Sequence, residues 1–175
     1  MSREIKDNTM VEVWSNYSSS LSYVTPKVVR TWHTPGSMKK VAMSELYEAV
    51  NAPGGKKFFD EGALLIKDNE VRDKLGLEPL DQYTLSREEI ITLLEKKDIE
   101  KVEELLQYCS NMMLETIVQI AIDMPIEDRP IAKLIQSYSG TDVFQVIEEK
   151  AQDTEQPQAA QPEKGKPRPK RKIKE

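Results

Sequence analysis

The sequence predicts an α+β protein: a small antiparallel β module at the N-terminus, then a bundle of four or five short helices, then a disordered basic tail. Three observations carry this. Apolar and polar residues alternate with period two in short runs between Met10 and Met43. From Ser86 to Lys150, helix-capping residues and apolar stripes at helical spacing recur together. Beyond Lys150 the chain turns to Gln, Ala, Pro and Glu and then to Lys, Arg and Pro, and such a segment buries too little to offset its ordering entropy. The organisation expected is a flexible arm at 1–9, a β-rich module with short helices at 10–77, a linker at 78–85, the bundle at 86–150 and the tail at 151–175.

The arm has no periodicity. From Met10, Val11, Val13 and Ser15 oppose Glu12 and Trp14, which predicts a strand, and Asn16 to Ser20 then turn the chain. Leu21, Tyr23 and Thr25 form a second alternation that Pro26 ends or edges. Val28 to His33 is a third run, Thr34-Pro35-Gly36-Ser37 a turn, and Lys39 to Met43 a fourth strand. Together they predict a small antiparallel sheet or a partly closed barrel. Ser44 is positioned to cap a helix over Glu45 to Asn51, and Ala52-Pro53-Gly54-Gly55 predicts a loop. Ala63 to Lys67 reads as a strand returning to the sheet. Asp68 or Asn69 then caps Glu70 to Leu75, which Gly76 and Leu77 close.

In the bundle, Ser86 with Glu89 forms a capping box, and Leu85 with Ile90 flanks it as a staple. Asp98 caps a second helix carrying Val102, Leu105 and Leu106. Ser110 or Asn111 starts a third that Pro125 ends. Asp128 with Pro130 opens a fourth that Gly140 closes, and Thr141 or Asp142 caps a last one holding Val143, Phe144 and Ile147. Helices this short are marginal alone in water, so they must be stabilised by packing on one another.

Bulk properties narrow the function. The single cysteine, Cys109, cannot form an internal disulfide, and one histidine with one cysteine makes no ordinary zinc site. No run of 18 apolar residues occurs, so neither a signal peptide nor a spanning helix, and no membrane partner, is expected. The net charge of −5 conceals an asymmetry: residues 164–175 hold seven Lys/Arg and one Glu, a balance of +6, against 18 and 29, or −11, in residues 1–163.

Each candidate for chemistry has a plain structural alternative. Pro53-Gly54-Gly55-Lys56-Lys57 resembles an anion-cradling loop but lacks P-loop spacing, so a simple chain reversal is the favoured reading. Trp14, Trp32 and His33 are the aromatic and imidazole side chains that could dock a partner, with an ordinary sheet-face histidine as the alternative. Cys109 lies on an apolar stripe and reads as packing. Glu88-Glu89, Glu103-Glu104 and Glu148-Glu149 fall on solvated helix faces, and Met112, Met113 and Met124 read as core filling before a partner groove. No catalytic residue, metal ligand or cofactor is expected.

The tail is the clearest functional signal. Lys164, Lys166, Arg168, Lys170, Arg171, Lys172 and Lys174 can bind phosphates without reading sequence, with affinity that falls as salt rises, or can engage an acidic partner. A solubility role or a nuclear-import signal fits the same pattern. The acidic body would repel a polyanion, which makes the tail a tether.

The run Val28 to Leu46 (VVRTWHTPGSMKKVAMSEL), the Pro53-Gly54-Gly55 loop, the Ser86 to Leu94 helix start and the Gly140-Thr141-Asp142-Val143 ending resemble small proteins of tailed bacteriophages that infect Firmicutes. The resemblance implies a virion-associated or host-manipulating accessory protein, found in the virion or the host cytoplasm. Its partners would be other phage proteins or a second copy of itself. The expectation is a non-enzymatic interaction protein whose tail contacts DNA or an acidic partner; the alternative is a regulatory nucleic-acid-binding protein acting in the infected cell. An enzyme built on the Pro53–Lys57 loop is the third class.

Overall fold

A computed structural model describes residues 4–155. They form β1 (Met10–Ser15), β2 (Leu21–Val24), β3 (Val29–Trp32), β4 (Met38–Ala42), α1 (Met43–Asn51), α2 (Gly55–Asp60), β5 (Leu64–Leu65) and α3 (Asn69–Lys74), followed by α4 (Arg87–Glu95), α5 (Ile99–Tyr108), α6 (Asn111–Asp123), α7 (Arg129–Ser139) and α8 (Val143–Glu155). The architecture is α+β, with the strands at the N-terminus and the helical unit after them. Among the described residues no helix is long and apolar enough to cross a membrane.

The strands make two sheets. One has the order β4-β1-β5, antiparallel throughout; the other is the β2-β3 hairpin. Both turn alternate residues inward, so Val11, Val13, Val41, Tyr23 and Trp32 join Leu46 and Phe59 in the first core. The second core gathers Ile90, Leu105, Ile117, Ile120, Ile131 and Ile135 from the helices.

Capping follows the sequence closely. The side chains of Asp68, Asp98, Ser110 and Asp128 each accept backbone N–H groups in the first turn of α3, α5, α6 and α7. Asp142 does the same at α8 for Gln145, 3.2 Å away. The Glu89 carboxylate reaches back to the Ser86 N–H at 2.7 Å and its hydroxyl at 2.6 Å. Gly140 takes the left-handed conformation expected of it, with φ +74°.

Three local expectations are corrected. Ser44 is not a cap: β4 runs straight into α1, and backbone carbonyls of Thr9 and Asp7 accept the Met43 and Ser44 N–H groups at 2.9 Å each. The arm is therefore anchored from Ile5 onward, with Ile5 buried in the first core and its carbonyl accepting Lys74. The expected Ala52–Gly55 loop is present as a turn that leads at once into α2, and a Cβ on Gly55 would lie 1.8 Å from the Ala49 carbonyl oxygen, so glycine alone lets the two helices meet. Finally, α8 continues past Lys150 to Glu155, five residues into the segment expected to be disordered.

The two cores meet at a polar junction centred on Asn16, which is 1% exposed. Its Nδ2 donates to the Leu85 carbonyl at 2.8 Å, and its Oδ1 accepts the Arg87 N–H at 3.2 Å. Its backbone carbonyl accepts the Thr116 hydroxyl at 3.2 Å, while its N–H bonds Ala63 at 2.9 Å. One asparagine thus fixes the start of α4 and the middle of α6 against the end of β1.

Candidate docking site on the N-terminal sheet

The inward set of β1 leaves Met10, Glu12 and Trp14 on the other face of the sheet, and the register sets them opposite Ala42, Lys40 and Met38 on β4. Met10 is 55% and Met38 41% exposed, large values for methionines on a structured strand. Lys40 lies 3.9 Å from Glu12, an exposed pair that contributes little to stability. Lys67, just past β5, places its Nζ 5.7 Å from the centroid of the Trp14 ring, within cation–π reach. The same ammonium stands 3.6 Å from Glu89, so it links this face to the start of α4. Between β1 and the start of α3 lies an open groove of about 320 Å³, lined by Ile5, Val11, Trp14, Lys67 and Val71 among others.

Of the residues expected to dock a partner, Trp14 lies on this face. Trp32 does not: it is fully buried, its indole N–H donates to the Val13 carbonyl at 3.1 Å, and the Tyr23 ring packs 5.6 Å away. An indole needs a hydrogen-bond partner when buried, and the β1 backbone supplies it. His33 is exposed beyond the end of β3, so Trp32 and His33 do not form one recognition surface. The tail cations Lys164, Lys166, Arg168, Lys170, Arg171, Lys172 and Lys174 lie outside the described residues.

Of the Pro53–Lys57 stretch, Pro53 and Gly54 turn the chain between α1 and α2, and Gly55 to Lys57 open α2. Lys56 and Lys57 lie 3.8 and 3.5 Å from Asp60 and Glu61 one turn along, which answers their charge locally. Cys109 is half-buried, burial raises its thiol pKa, and the Sγ lies 3.8 Å from the Leu106 carbonyl oxygen, so it packs as a small hydrophobe.

The most buried charged groups are engaged in holding the fold. Arg72, 2% exposed, donates through Nε to the Glu78 carbonyl at 2.7 Å and lies 3.9 Å from Asp60; burial lowers its pKa against that carboxylate's pull. Glu45 on α1 accepts Tyr23 Oη at 2.6 Å and Arg30 Nε and Nη2 at 2.9 and 2.5 Å, a bidentate clasp that ties the hairpin to α1. Burial and the neighbouring Glu45 push the Tyr23 hydroxyl far above its ordinary range. Partial burial alone would raise Glu45, but the Arg30 and Tyr23 hydrogen bonds outweigh it and hold the carboxyl low. Glu89 is likewise held low, its Ser86 hydrogen bonds overcoming desolvation.

Sequence reasoning missed Asn16 and Lys67. Asn16 reads locally as a turn residue and Lys67 as a strand end, and only their long-range partners give them a role. The charge is also more unevenly placed than the tail suggested: residues 86–155 carry sixteen Asp/Glu against seven Lys/Arg, a net −9, whereas residues 4–85 carry twelve against ten, a net −2. Comparison with protein-family models, with curated proteins and with solved structures finds no match.

Proposed function

We propose that this chain is a non-enzymatic interaction protein, a virion-associated structural or accessory protein of a tailed phage, which docks through its N-terminal sheet and reaches DNA or an acidic partner through its cationic tail. The observation that carries the reading is the outward face of β1 and β4, where Met10 and Met38 stand exposed on either side of a half-buried Trp14, on a sheet held rigid by the core beneath it. The charge distribution supports the second half. A nearly neutral sheet module can approach a partner closely, while a helical unit at −9 repels polyanions and leaves the +6 tail as the route to them. The resemblance to small phage proteins supplies the setting. Mass spectrometry of purified particles tests it: the protein is expected at a fixed copy number per virion, and its absence would reject the virion-associated version. The tail's charge also favours the second reading, a regulatory nucleic-acid-binding protein in the infected cell. Deleting residues 164–175 is expected to abolish salt-sensitive retention on DNA, and unchanged retention would dismiss DNA as the tail's target.

A further inference from the structure

The outer face of β1 has a second property, which concerns its backbone. In an antiparallel ladder, alternate residues exchange hydrogen bonds with one neighbour while those between them point the opposite way. Along β1 the odd residues face β4: Ser15 N–H bonds the Ser37 carbonyl at 3.0 Å, and the Thr9 carbonyl accepts Met43 N–H at 2.9 Å. The even residues face β5, as the Asn16 N–H shows by bonding the Ala63 carbonyl at 2.9 Å. Yet β5 pairs only with Trp14 and Ser15, because it ends at Leu65 and the chain swings away to let Asp68 cap α3. The N–H and C=O groups of Met10 and Glu12 therefore point into the groove that opens where β5 stops. The far wall of that groove is Lys67, Asp68 and Val71, and buried Val11 and Ile5 line it.

We infer that this half-open edge takes a short extended peptide from a partner protein, added to β1 as a continuation of the line of β5. Four main-chain groups at fixed spacing are matched in register only by another backbone, which selects an extended peptide over a folded surface or a small molecule. The side chains of such a strand alternate. One set would enter the apolar end of the groove near Ile5 and Val71, and the other would lie on the outer face beside Trp14 and the Glu12–Lys40 pair. The charges lining the groove balance, Lys40 and Lys67 against Glu12 and Asp68, so the partner segment is uncharged or mixed in charge, with an apolar residue at every second position. The inference rests on reading the chain as an interaction protein and names the mode of contact. It is independent of the tail and of the virion setting, so particle proteomics and DNA retention can fail without touching it.

The test uses the full chain and a random twelve-residue peptide library displayed on yeast. Amide exchange followed by NMR is expected to show Val11 and Val13 protected and Met10 and Glu12 exchanging at least a hundredfold faster. Enriched peptides are expected to alternate apolar and polar residues and to slow exchange at Glu12. Met10→Pro removes one groove-facing N–H without touching the bonds to β4, and proline is tolerated at the first residue of a strand. It should weaken those peptides at least tenfold with helicity unchanged. Protection of Glu12 in the free, dilute chain would overturn the inference, because the edge would already be closed by the chain itself. Protection that rises with protein concentration alone would assign the groove to a second copy and overturn it also. Peptides that bind without protecting Glu12, or that bind the proline variant equally well, would do the same. Should Met10→Pro fail to fold, the exchange measurements decide alone.

Discussion

Replacing Asn16 by alanine asks whether the two cores behave as one cooperative unit. The side chain makes two hydrogen bonds across the junction, to the Leu85 carbonyl at 2.8 Å and from the Arg87 N–H at 3.2 Å. Its removal strands both groups in a site that is 1% exposed in the native protein. Each of the two groups left unsatisfied costs roughly 1–3 kcal/mol, towards the low end where water enters the vacated space. The expected loss is therefore about 3 kcal/mol, or roughly 6–12 °C in midpoint for a chain of this size. The assay exploits the placement of the only two tryptophans, Trp14 and Trp32, both in the sheet module. Tryptophan fluorescence follows the sheet module, while far-UV circular dichroism follows mainly the helices. In urea the two transitions should coincide for the native chain and separate in Asn16→Ala. Asn16→Asp, which keeps an acceptor for Arg87 but sets a carboxylate against the Leu85 carbonyl, should be at least as damaging. Coincident transitions and a loss below about 0.5 kcal/mol would refute the idea that this residue couples the cores.

Three further outcomes follow from the same geometry. Gly55→Ala places a Cβ 1.8 Å from the Ala49 carbonyl oxygen, so α1 and α2 must part; soluble yield and thermal midpoint should both fall, by more than the ~1 kcal/mol range typical of a point substitution. Glu45→Gln replaces a charged acceptor of Arg30 and Tyr23 by a neutral one and should cost about 2 kcal/mol at neutral pH, read from the urea midpoint. The pH dependence has a definite sign: Glu45 is held low in the folded state, so its contribution is complete above the ordinary glutamate pKa of about 4.3 and is lost as pH falls through the lower folded value. The gap between native and Glu45→Gln midpoints should accordingly narrow at the acid end. Trp32→Phe and Trp14→Phe form a contrasting pair: the first leaves the Val13 carbonyl without its indole partner and should destabilise by about 1–3 kcal/mol, whereas the second changes a partly exposed ring and should move the midpoint little.

What was legible in the sequence was what local chemistry decides. Asp98 and Asp128 announced α5 and α7 because a side-chain oxygen one to three residues before an apolar stripe has few better uses than a cap. Period two announced β1 because Val11 and Val13 had to share a face. What escaped was settled by partners far away in sequence. Asn16 bonds groups 69, 71 and 100 residues distant, and nothing in Asn16-Tyr17-Ser18-Ser19-Ser20 distinguishes it from an ordinary turn. The arm was misread for a related reason: Ile5 is one apolar residue among charges, too little for periodicity, yet enough to fill a place beneath β1 once Asp7 and Thr9 have capped α1 with their carbonyls. The tryptophans show the limit most plainly, since composition offers both as anchors and only strand parity separates Trp14 from Trp32.

The open stretch of β1 also poses a problem that the surrounding residues answer. An unpaired edge is a template for uncontrolled pairing, and proteins blunt such edges with charges, short strands or a covering element. Here two of them occur. Glu12 and Lys40 lie on the outer face, and Lys67 covers Trp14 while it faces Glu89. Lys67 holds the sheet face and the start of α4 together, so a strand entering the groove must displace it from Trp14 or run beneath it. If it is a guard, Lys67→Ala should raise self-association measured by light scattering and strengthen peptide binding at once, because both processes use the same edge. If Lys67 instead orients the incoming strand, the substitution should weaken peptide binding and leave self-association unchanged. Those opposite signs separate protection of the edge from recognition by it, and the side chain's two existing contacts, to a ring and to a carboxylate within the same molecule, favour protection.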